Sequence, residues 1–164
     1  MSSTIIIAEA GVNHNGDLGK ACQLVDAAAD AGADYVKFQS FKTEQMTSSA
    51  AKMADYQKQN LGIDEDSGQY GMIKKLELNL EQLEHLKQYA NQRDIKFLST
   101  PFDLESLAML QDLGVDLWKV ASGELTNRPL IEAMAATGLP MVISTGMATL
   151  EEVKKVVELI TEIG

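Results

Sequence analysis

Apolar residues along the chain form five short runs, and each run is followed by a stretch in which they recur at helical spacing. The short runs predict β-strands at residues 4–9, 35–39, 96–99, 117–121 and 141–144. The helical spacing predicts helices at 18–31, from 80 to near 93, from 104 to 114, at about 128–137 and at about 149–163. Strands that alternate with helices predict an α/β fold, in which helices cover a parallel sheet.

Several of the predicted helices carry capping signals at their ends. Asp17 and Asp103 stand where an N-cap side chain would accept a backbone N–H. Gly32 and Gly114 stand where a helix commonly stops. Thr149 is followed by two glutamates, which suit the positive end of a helix dipole.

Residues 40–72 break this alternation. They mix Ser, Gln, Asp and Gly with few periodic apolar positions, which predicts one long connection. Long connections in compact domains are commonly functional. The segment is a solvated flap on one interpretation, and a lid or a subunit contact on the other.

Polar residues recur where the predicted strands end. They are Glu9, Lys37, Gln39, Thr100, Lys119, Ser122, Glu124 and Ser144. An eight-stranded (β/α) barrel brings the C-terminal ends of successive strands to one face. A doubly wound sheet often has a Gly-x-Gly-x-x-Gly turn after its first strand, and residues 9–16 lack that turn. We therefore predict a TIM barrel.

The chain is short for such a barrel. A closed barrel typically takes about 250 residues, whereas this sequence has 164 and predicts five βα units. In a barrel of five units the first and last strands would each keep an unpaired edge. We therefore expect a partial barrel, with residues 1–164 as the N-terminal portion of a (β/α)8 barrel in a longer chain. Association of two partial barrels is the alternative.

A motif of the form Gly-x-Asp-x-x-Lys-x-x-Ser occurs twice, at residues 32–40 and 114–122. Because side chains alternate along a strand, Lys37 should share a face with Tyr35 and Gln39, and Lys119 should share one with Ala121. A lysine in a buried strand is costly unless an anion meets it. Two such lysines suggest one shared anion, and the alternative is that each pairs with its own carboxylate.

Charge and composition narrow the classes of partner. The net charge is −10 and the pI is near 4.6, which argues against general nucleic-acid binding. An anionic small molecule could still bind if local lysines overcame the repulsion from the net negative charge. No apolar run reaches about 18 residues, the start lacks a secretory signal, and the single cysteine, Cys22, forms no disulfide framework. We expect a cytoplasmic protein without a membrane partner.

Six stretches together resemble the sialic acid synthase family. They are 6–16 (IIAEAGVNHNG), 36–39 (VKFQ), 73–78 (IKKLEL), 97–102 (FLSTPF), 118–124 (WKVASGE) and 143–146 (ISTG). They occur in the family's order and extend over most of the chain. The resemblance implies condensation of phosphoenolpyruvate with an N-acetylated aminosugar, such as N-acetylmannosamine, giving a nine-carbon 2-keto acid and phosphate.

The resemblance also implies roles for particular residues. The phosphate and carboxylate of phosphoenolpyruvate would be held by Lys37, Thr100, Lys119, Ser122 and Ser144. Gln39 and Phe102 would help to place the sugar, and Glu9 would contact a sugar hydroxyl and move a proton. Glu124 would act as acid or base at the enolpyruvyl carbon or on the attacking water. The alternative for Glu124 is a cap for the helix that follows.

The resemblance further implies a divalent metal, Mn²⁺ or Mg²⁺, bound by two histidines on strands that this chain does not include. His85 is expected to be solvated, and His14 either orients the surroundings of Glu9, contacts the ligand or is purely structural. A C-terminal antifreeze-like domain, also outside this chain, would complete a neighbour's site in a homodimer. The chain alone is therefore expected to bind no metal and to be nearly inactive.

Two other functions stay open. A Schiff-base aldolase would use Lys119 or Lys37 to attack a carbonyl from a barrel strand. A non-catalytic partial barrel would serve as a binding or assembly piece. The sequence does not identify the sugar.

Overall fold

The computed structural model describes residues 4–46 and 69–164. The strands are β1 (Ile7–Gly11), β2 (Tyr35–Ser40), β3 (Lys96–Pro101), β4 (Trp118–Val120) and β5 (Met141–Ile143). The helices are α1 (Leu18–Asp30), α2 (Thr43–Met46), α3 (Gln69–Lys74), α4 (Leu80–Gln92), α5 (Leu104–Leu113), α6 (Arg128–Ala135) and α7 (Leu150–Ile163), and a 3-10 turn spans Ser122–Glu124.

The strands pair in parallel. β1, β2 and β3 form one sheet in that order, and β4 pairs with β5 in a second sheet. Parallel pairing with helical crossovers confirms the predicted α/β fold.

The strand ends differ from the prediction. β1 begins at Ile7 rather than at residue 4 and continues past Glu9 to Gly11. Gly11 adopts a φ of 55° and pairs with Phe38, whereas Glu9 pairs with Lys37, so the register shift leaves Ala10 as the extra residue of a bulge. β3 likewise continues through Pro101, which pairs with Ser40. β4 and β5 are each shorter than predicted.

The predicted long connection at residues 40–72 includes helical turns in its described part. The described part of this segment contains the short helices α2 and α3, which offer too few turns for periodicity to reveal. The flap, lid and subunit-contact interpretations fall largely on residues 47–68, which lie outside the described residues.

The predicted caps are confirmed. Asp17 accepts from Lys20 N at 3.1 Å, and Asp103 accepts from Ser106 N at 2.7 Å. Gly114 ends α5 with a φ of 77°, a left-handed conformation that a glycine adopts without strain. Thr149 forms a capping box with the third residue of α7.

The two faces of the strands have different neighbours. Val36, Phe38, Trp118 and Val120 belong to the main core with apolar residues of the helices. Tyr35, Leu98 and Leu117 form a separate cluster on the opposite face, which we call the inner face. The alternation predicted for Lys37 and Lys119 is therefore confirmed, because both lie between core residues and point away from the helices. Among the described residues, every helix is too short or too polar to cross a bilayer.

Candidate active site

Lys37 lies on the inner face of β2 and forms an ion pair with Glu9. The parallel register of β1 and β2 sets Glu9 opposite Lys37, so the contact follows from strand pairing. The Lys37 side chain is 11% exposed and the Glu9 side chain is 52% exposed. Lys37 therefore has a carboxylate partner, as the alternative interpretation of the repeat predicts for each lysine.

Lys119 on β4 has a different environment. Its Nζ donates to the Val120 carbonyl at 2.6 Å and to Ser144 Oγ at 2.7 Å. Burial lowers the pKa of Lys119, the charge of Lys37 lowers it further, and Glu9 opposes the change. In the part of the chain that the structure describes, no carboxylate forms an ion pair with Lys119. The two lysines thus act on one another across the inner face, and only Lys37 is neutralised.

Ser122 lies beside the loop that follows β5. A Cβ placed on Gly146 would be 3.5 Å from both the Cβ and the Oγ of Ser122. Lys119 and Ser144 are bonded at the same ends of β4 and β5. One ammonium group and two hydroxyls therefore lie at the C-terminal ends of these strands, a donor set that suits an anion.

A second group of predicted site residues lies at the ends of β1, β2 and β3. A Cβ on Gly11 would lie 3.1 Å from Glu9 Oε1 and 3.6 Å from Gln39 Nε2, so these side chains flank the Gly11 backbone. Thr100 pairs with Gln39 in the ladder, and its buried hydroxyl has no hydrogen-bond partner among the described residues. Phe102 is half-buried, and its backbone N–H donates to the Ser40 carbonyl at 3.0 Å.

Glu124 lies two residues after Ser122. It ends the 3-10 turn after β4, and its Oε2 accepts from Asn127 Nδ2 at 2.6 Å. Asn127 is the residue before α6, and its side chain makes no cap hydrogen bond to the helix. Neither lysine is a partner in the hydrogen bonds described for Glu124. Its catalytic role therefore stays a prediction, and its contact with the residue before α6 is the one described.

His14 is more deeply placed than the sequence indicates. It is fully buried, its Nδ1 accepts from Gly16 N at 3.0 Å, and its ring lies 6.1 Å from that of Phe38. Burial lowers the pKa of His14, which keeps the ring neutral at neutral pH. With Nδ1 as acceptor, Nε2 carries the proton, and within the described part of the chain that buried donor has no hydrogen-bond partner. His85 is exposed, as predicted.

The described residues do not fit a metal centre. Within 4–46 and 69–164, no three His, Cys, Asp or Glu side chains are grouped so that they could hold an ion.

The chain matches the family model described as the NeuB family over residues 24–164. The chain belongs to the NeuB family, which confirms the resemblance to sialic acid synthases. It is 47% identical over its whole length to the N,N'-diacetyllegionaminic acid synthase of Campylobacter jejuni, and 48% identical over 93% of its length to that of Legionella pneumophila.

A solved structure gives the same result. The N-acetylneuraminic acid (sialic acid) synthetase of Leptospira borgpetersenii, in complex with citrate, superposes with a TM-score of 0.82 at 33% identity over 97% of this chain. The chain spans 48% and 42% of the two legionaminic acid synthases and 51% of the crystallised synthetase. It therefore spans about half the length of the relatives it matches.

Proposed function

We propose that this chain is part of a nonulosonic acid synthase that condenses phosphoenolpyruvate with an N-acetylated aminosugar. The observation that carries the proposal is the pair of lysines on one inner face. Lys37 already pairs with Glu9, whereas Lys119 is half-buried beside neutral oxygens and has no described carboxylate partner. A partly desolvated ammonium group of this kind is stabilised by an anionic ligand.

Phosphoenolpyruvate has two anionic ends and would use both groups of site residues. Lys119, Ser122 and Ser144 would hold one end, and Lys37 with Thr100 would hold the other. The Thr100 hydroxyl supports this assignment. It is buried without a described hydrogen-bond partner, so it can donate to a ligand oxygen. Contacts from ammonium groups are strong, and the hydroxyls add direction without adding charge.

The sugar would lie toward Glu9, Gln39 and Phe102. In the reaction, C3 of phosphoenolpyruvate attacks the aldehyde carbon, water adds to C2, and the phosphate leaves with its bridging oxygen to give the 2-keto acid. Glu9 would contact a sugar hydroxyl and move a proton, and its ion pair with Lys37 would keep that carboxylate oriented. Glu124 would exchange a proton with the enolpyruvyl carbon or with the attacking water.

The proposal extends to the whole protein. The five βα units would be the first part of an eight-stranded barrel, whose remaining units and antifreeze-like domain belong to the longer protein. That protein would work as a cytoplasmic homodimer with Mn²⁺ or Mg²⁺, using histidine ligands from outside this chain. The metal would supply Lewis-acid activation of the aldehyde.

The full protein tests the proposal directly. It is incubated with phosphoenolpyruvate, Mn²⁺ and a panel of N-acyl aminosugars, and phosphate release and product mass are measured. The expected result is phosphate release that requires a sugar, together with a product whose mass equals that of the sugar plus one pyruvic acid. Phosphate release at the same rate without any sugar would reject the proposal.

One observation favours a second function. Because burial and the Lys37 charge lower the pKa of Lys119, this amine is more nucleophilic near neutral pH than an exposed lysine. A Schiff-base aldolase would use that property on a carbonyl substrate. Borohydride reduction in the presence of pyruvate distinguishes the two functions, because the aldolase would trap a covalent adduct on Lys119 and the synthase would not.

A further inference from the structure

Glu77 is a nearly buried carboxylate that has no role in the chemistry above. It lies in the stretch 73–78, between α3 and α4, and its side chain is 11% exposed. Its Oε2 accepts from Lys74 Nζ at 2.9 Å, from Thr43 Oγ1 at 2.9 Å and from Thr43 N at 3.2 Å. Burial raises the pKa of Glu77, but the hydrogen bonds from Lys74 and Thr43 outweigh that effect and lower it. Glu77 is therefore ionised at neutral pH.

These contacts fix the chain just after β2. Lys42 Nζ lies 3.6 Å from Glu77 Oε1, and Lys42 N donates to Asp103 Oδ2 at 2.7 Å. The backbone of Phe102 is in turn bonded to the last residue of β2. The segment that leaves β2 is thus held between Glu77 on one side and the start of α5 on the other.

The same stretch also supports the loop after β1. A Cβ placed on Gly16 would come within 2.1 Å of the Lys75 carbonyl oxygen, so the two backbones are in close contact. Gly16 has a φ of 78°, which a glycine tolerates without strain. The loop that rests here starts at Gly11, whose backbone lies between Glu9 and Gln39.

We propose that residues 74–77 form a brace and that Glu77 is its positioning residue. The brace holds the C-terminal ends of β1, β2 and β3, and so fixes Glu9, Gln39 and Phe102. Among the described contacts, none joins Glu77 to the group formed by Lys119, Ser122 and Ser144. The brace therefore sets the geometry of the sugar side of the site and leaves the β4–β5 side unaffected. Its kinetic consequences rest on the function proposed above.

The test is Glu77→Gln in the full protein. Glutamine keeps the volume and one acceptor oxygen but loses the charge that attracts Lys42 and Lys74. Because small displacements of positioning groups can cost up to about 100-fold in rate, we expect KM for the aminosugar to rise about tenfold or more. KM for phosphoenolpyruvate should rise less than KM for the sugar, because its contacts with Lys119, Ser122 and Ser144 are unchanged and only those with Lys37 and Thr100 lie on the braced strands.

Glu44→Gln is the matched control. Glu44 also accepts from Lys74, at 3.1 Å, and from Tyr70, at 2.8 Å, but its side chain is 56% exposed. This variant should leave both KM values within about twofold. Thr43→Val removes one hydroxyl donor from Glu77 without altering the carboxylate. It should raise KM for the sugar by about threefold, which tests the brace if Glu77→Gln does not fold.

Amide hydrogen exchange gives a second readout that needs no activity. In Glu77→Gln, exchange should increase at residues 11–17 and 40–43 and stay unchanged at 118–124 and 141–146. Equal rises in both KM values, no rise in either, or uniform exchange changes would overturn the brace. If the full protein forms no product with any aminosugar, the proposed function fails, and the exchange pattern still decides the role of Glu77.

Discussion

At the scale of single residues, Lys119 and Lys37 differ in the groups that contact their ammonium charge. Lys37 pairs with Glu9, whereas Lys119 donates to a carbonyl and to a hydroxyl. Holding a charged amine among neutral partners in a buried place costs free energy. An anion that binds at Lys119 would offset this cost. Loss of Lys119 should therefore weaken anion binding more than loss of Lys37.

Lys119→Met should weaken binding of phosphoenolpyruvate. A hydrogen bond from a charged group contributes roughly 1.5–3 kcal/mol, so KM for phosphoenolpyruvate should rise about 10- to 100-fold. Steady-state kinetics of the full protein would measure this change. Lys96→Met is the control, because Lys96 is 62% exposed and lies at the opposite end of the strands. An unchanged KM in Lys119→Met would remove Lys119 from the anion site.

His14 should make stability depend on pH. Burial lowers its pKa in the folded state, and the ordinary value is 6.5. Above pH 6.5 the group is neutral in both states; as the pH falls below that value, the unfolded chain binds the proton first, so stability is lost. Urea unfolding of the full protein at about pH 7.5 and about pH 5 should show a smaller loss in His14→Asn than in wild type.

His85→Asn is the matched control for this measurement, because His85 is exposed on α4. Its pH dependence should follow that of wild type. If His14→Asn and wild type lose the same stability between the two pH values, the burial of the His14 ring does not govern the pH dependence.

The sequence predicts the direction of a side chain more reliably than it predicts the residues that the side chain contacts. Alternation along β2 predicts that Lys37 and Gln39 share a face, and the structure agrees. The Glu9–Lys37 contact could not be predicted, because it depends on the register between two strands that are joined only through a helix. The burial of His14 was missed for a related reason: its loop is polar in sequence and is covered only by tertiary packing.

At the scale of elements, helix starts were predictable and strand ends were not. Asp17 and Asp103 cap helices through local hydrogen bonds, which the sequence reports directly. A parallel strand ends where its neighbour stops offering partners, and this is a property of the assembled sheet. β3 therefore continues through Pro101, although a proline in the sequence predicts the end of a strand.

Asp103 makes a further hydrogen bond in addition to capping α5. Its carboxylate accepts from Ser106 N, from Ser106 Oγ and from Lys42 N, so it joins α5 to the segment after β2. Asp103→Ala should therefore lower the free energy of unfolding by about 2–3 kcal/mol. Thr149→Ala removes only the exposed cap of α7 and should cost about 1 kcal/mol.

Chemical denaturation of both variants in the full protein compares the two losses. Equal losses would show that the bond to Lys42 contributes nothing beyond an ordinary cap.

At the scale of the molecule, the two ends of the strands have different tasks. The predicted site residues lie at or just beyond the C-terminal ends, whereas the N-terminal ends carry a polar network of their own. Tyr35 donates to Asp116 at 2.9 Å, and Lys96 donates to Asp116 at 2.7 Å and to Tyr35 at 3.2 Å. These contacts join β2 and β3 to the segment before β4, across the gap between the two sheets. In barrel enzymes this end contributes stability, and the opposite end contributes catalysis.

Tyr35→Phe separates these two tasks. The ring stays in the inner-face cluster with Leu98 and Leu117, and only the hydroxyl that bridges Lys96 and Asp116 is lost. The free energy of unfolding should fall by about 1 kcal/mol, while both KM values stay within about twofold of wild type. Glu77→Gln at the other end should show the reverse pattern, a selective rise in KM for the sugar. If Tyr35→Phe changes KM as much as Glu77→Gln does, the two ends are coupled through the strands. The sugar side of the site would then depend on the whole sheet rather than on the brace alone.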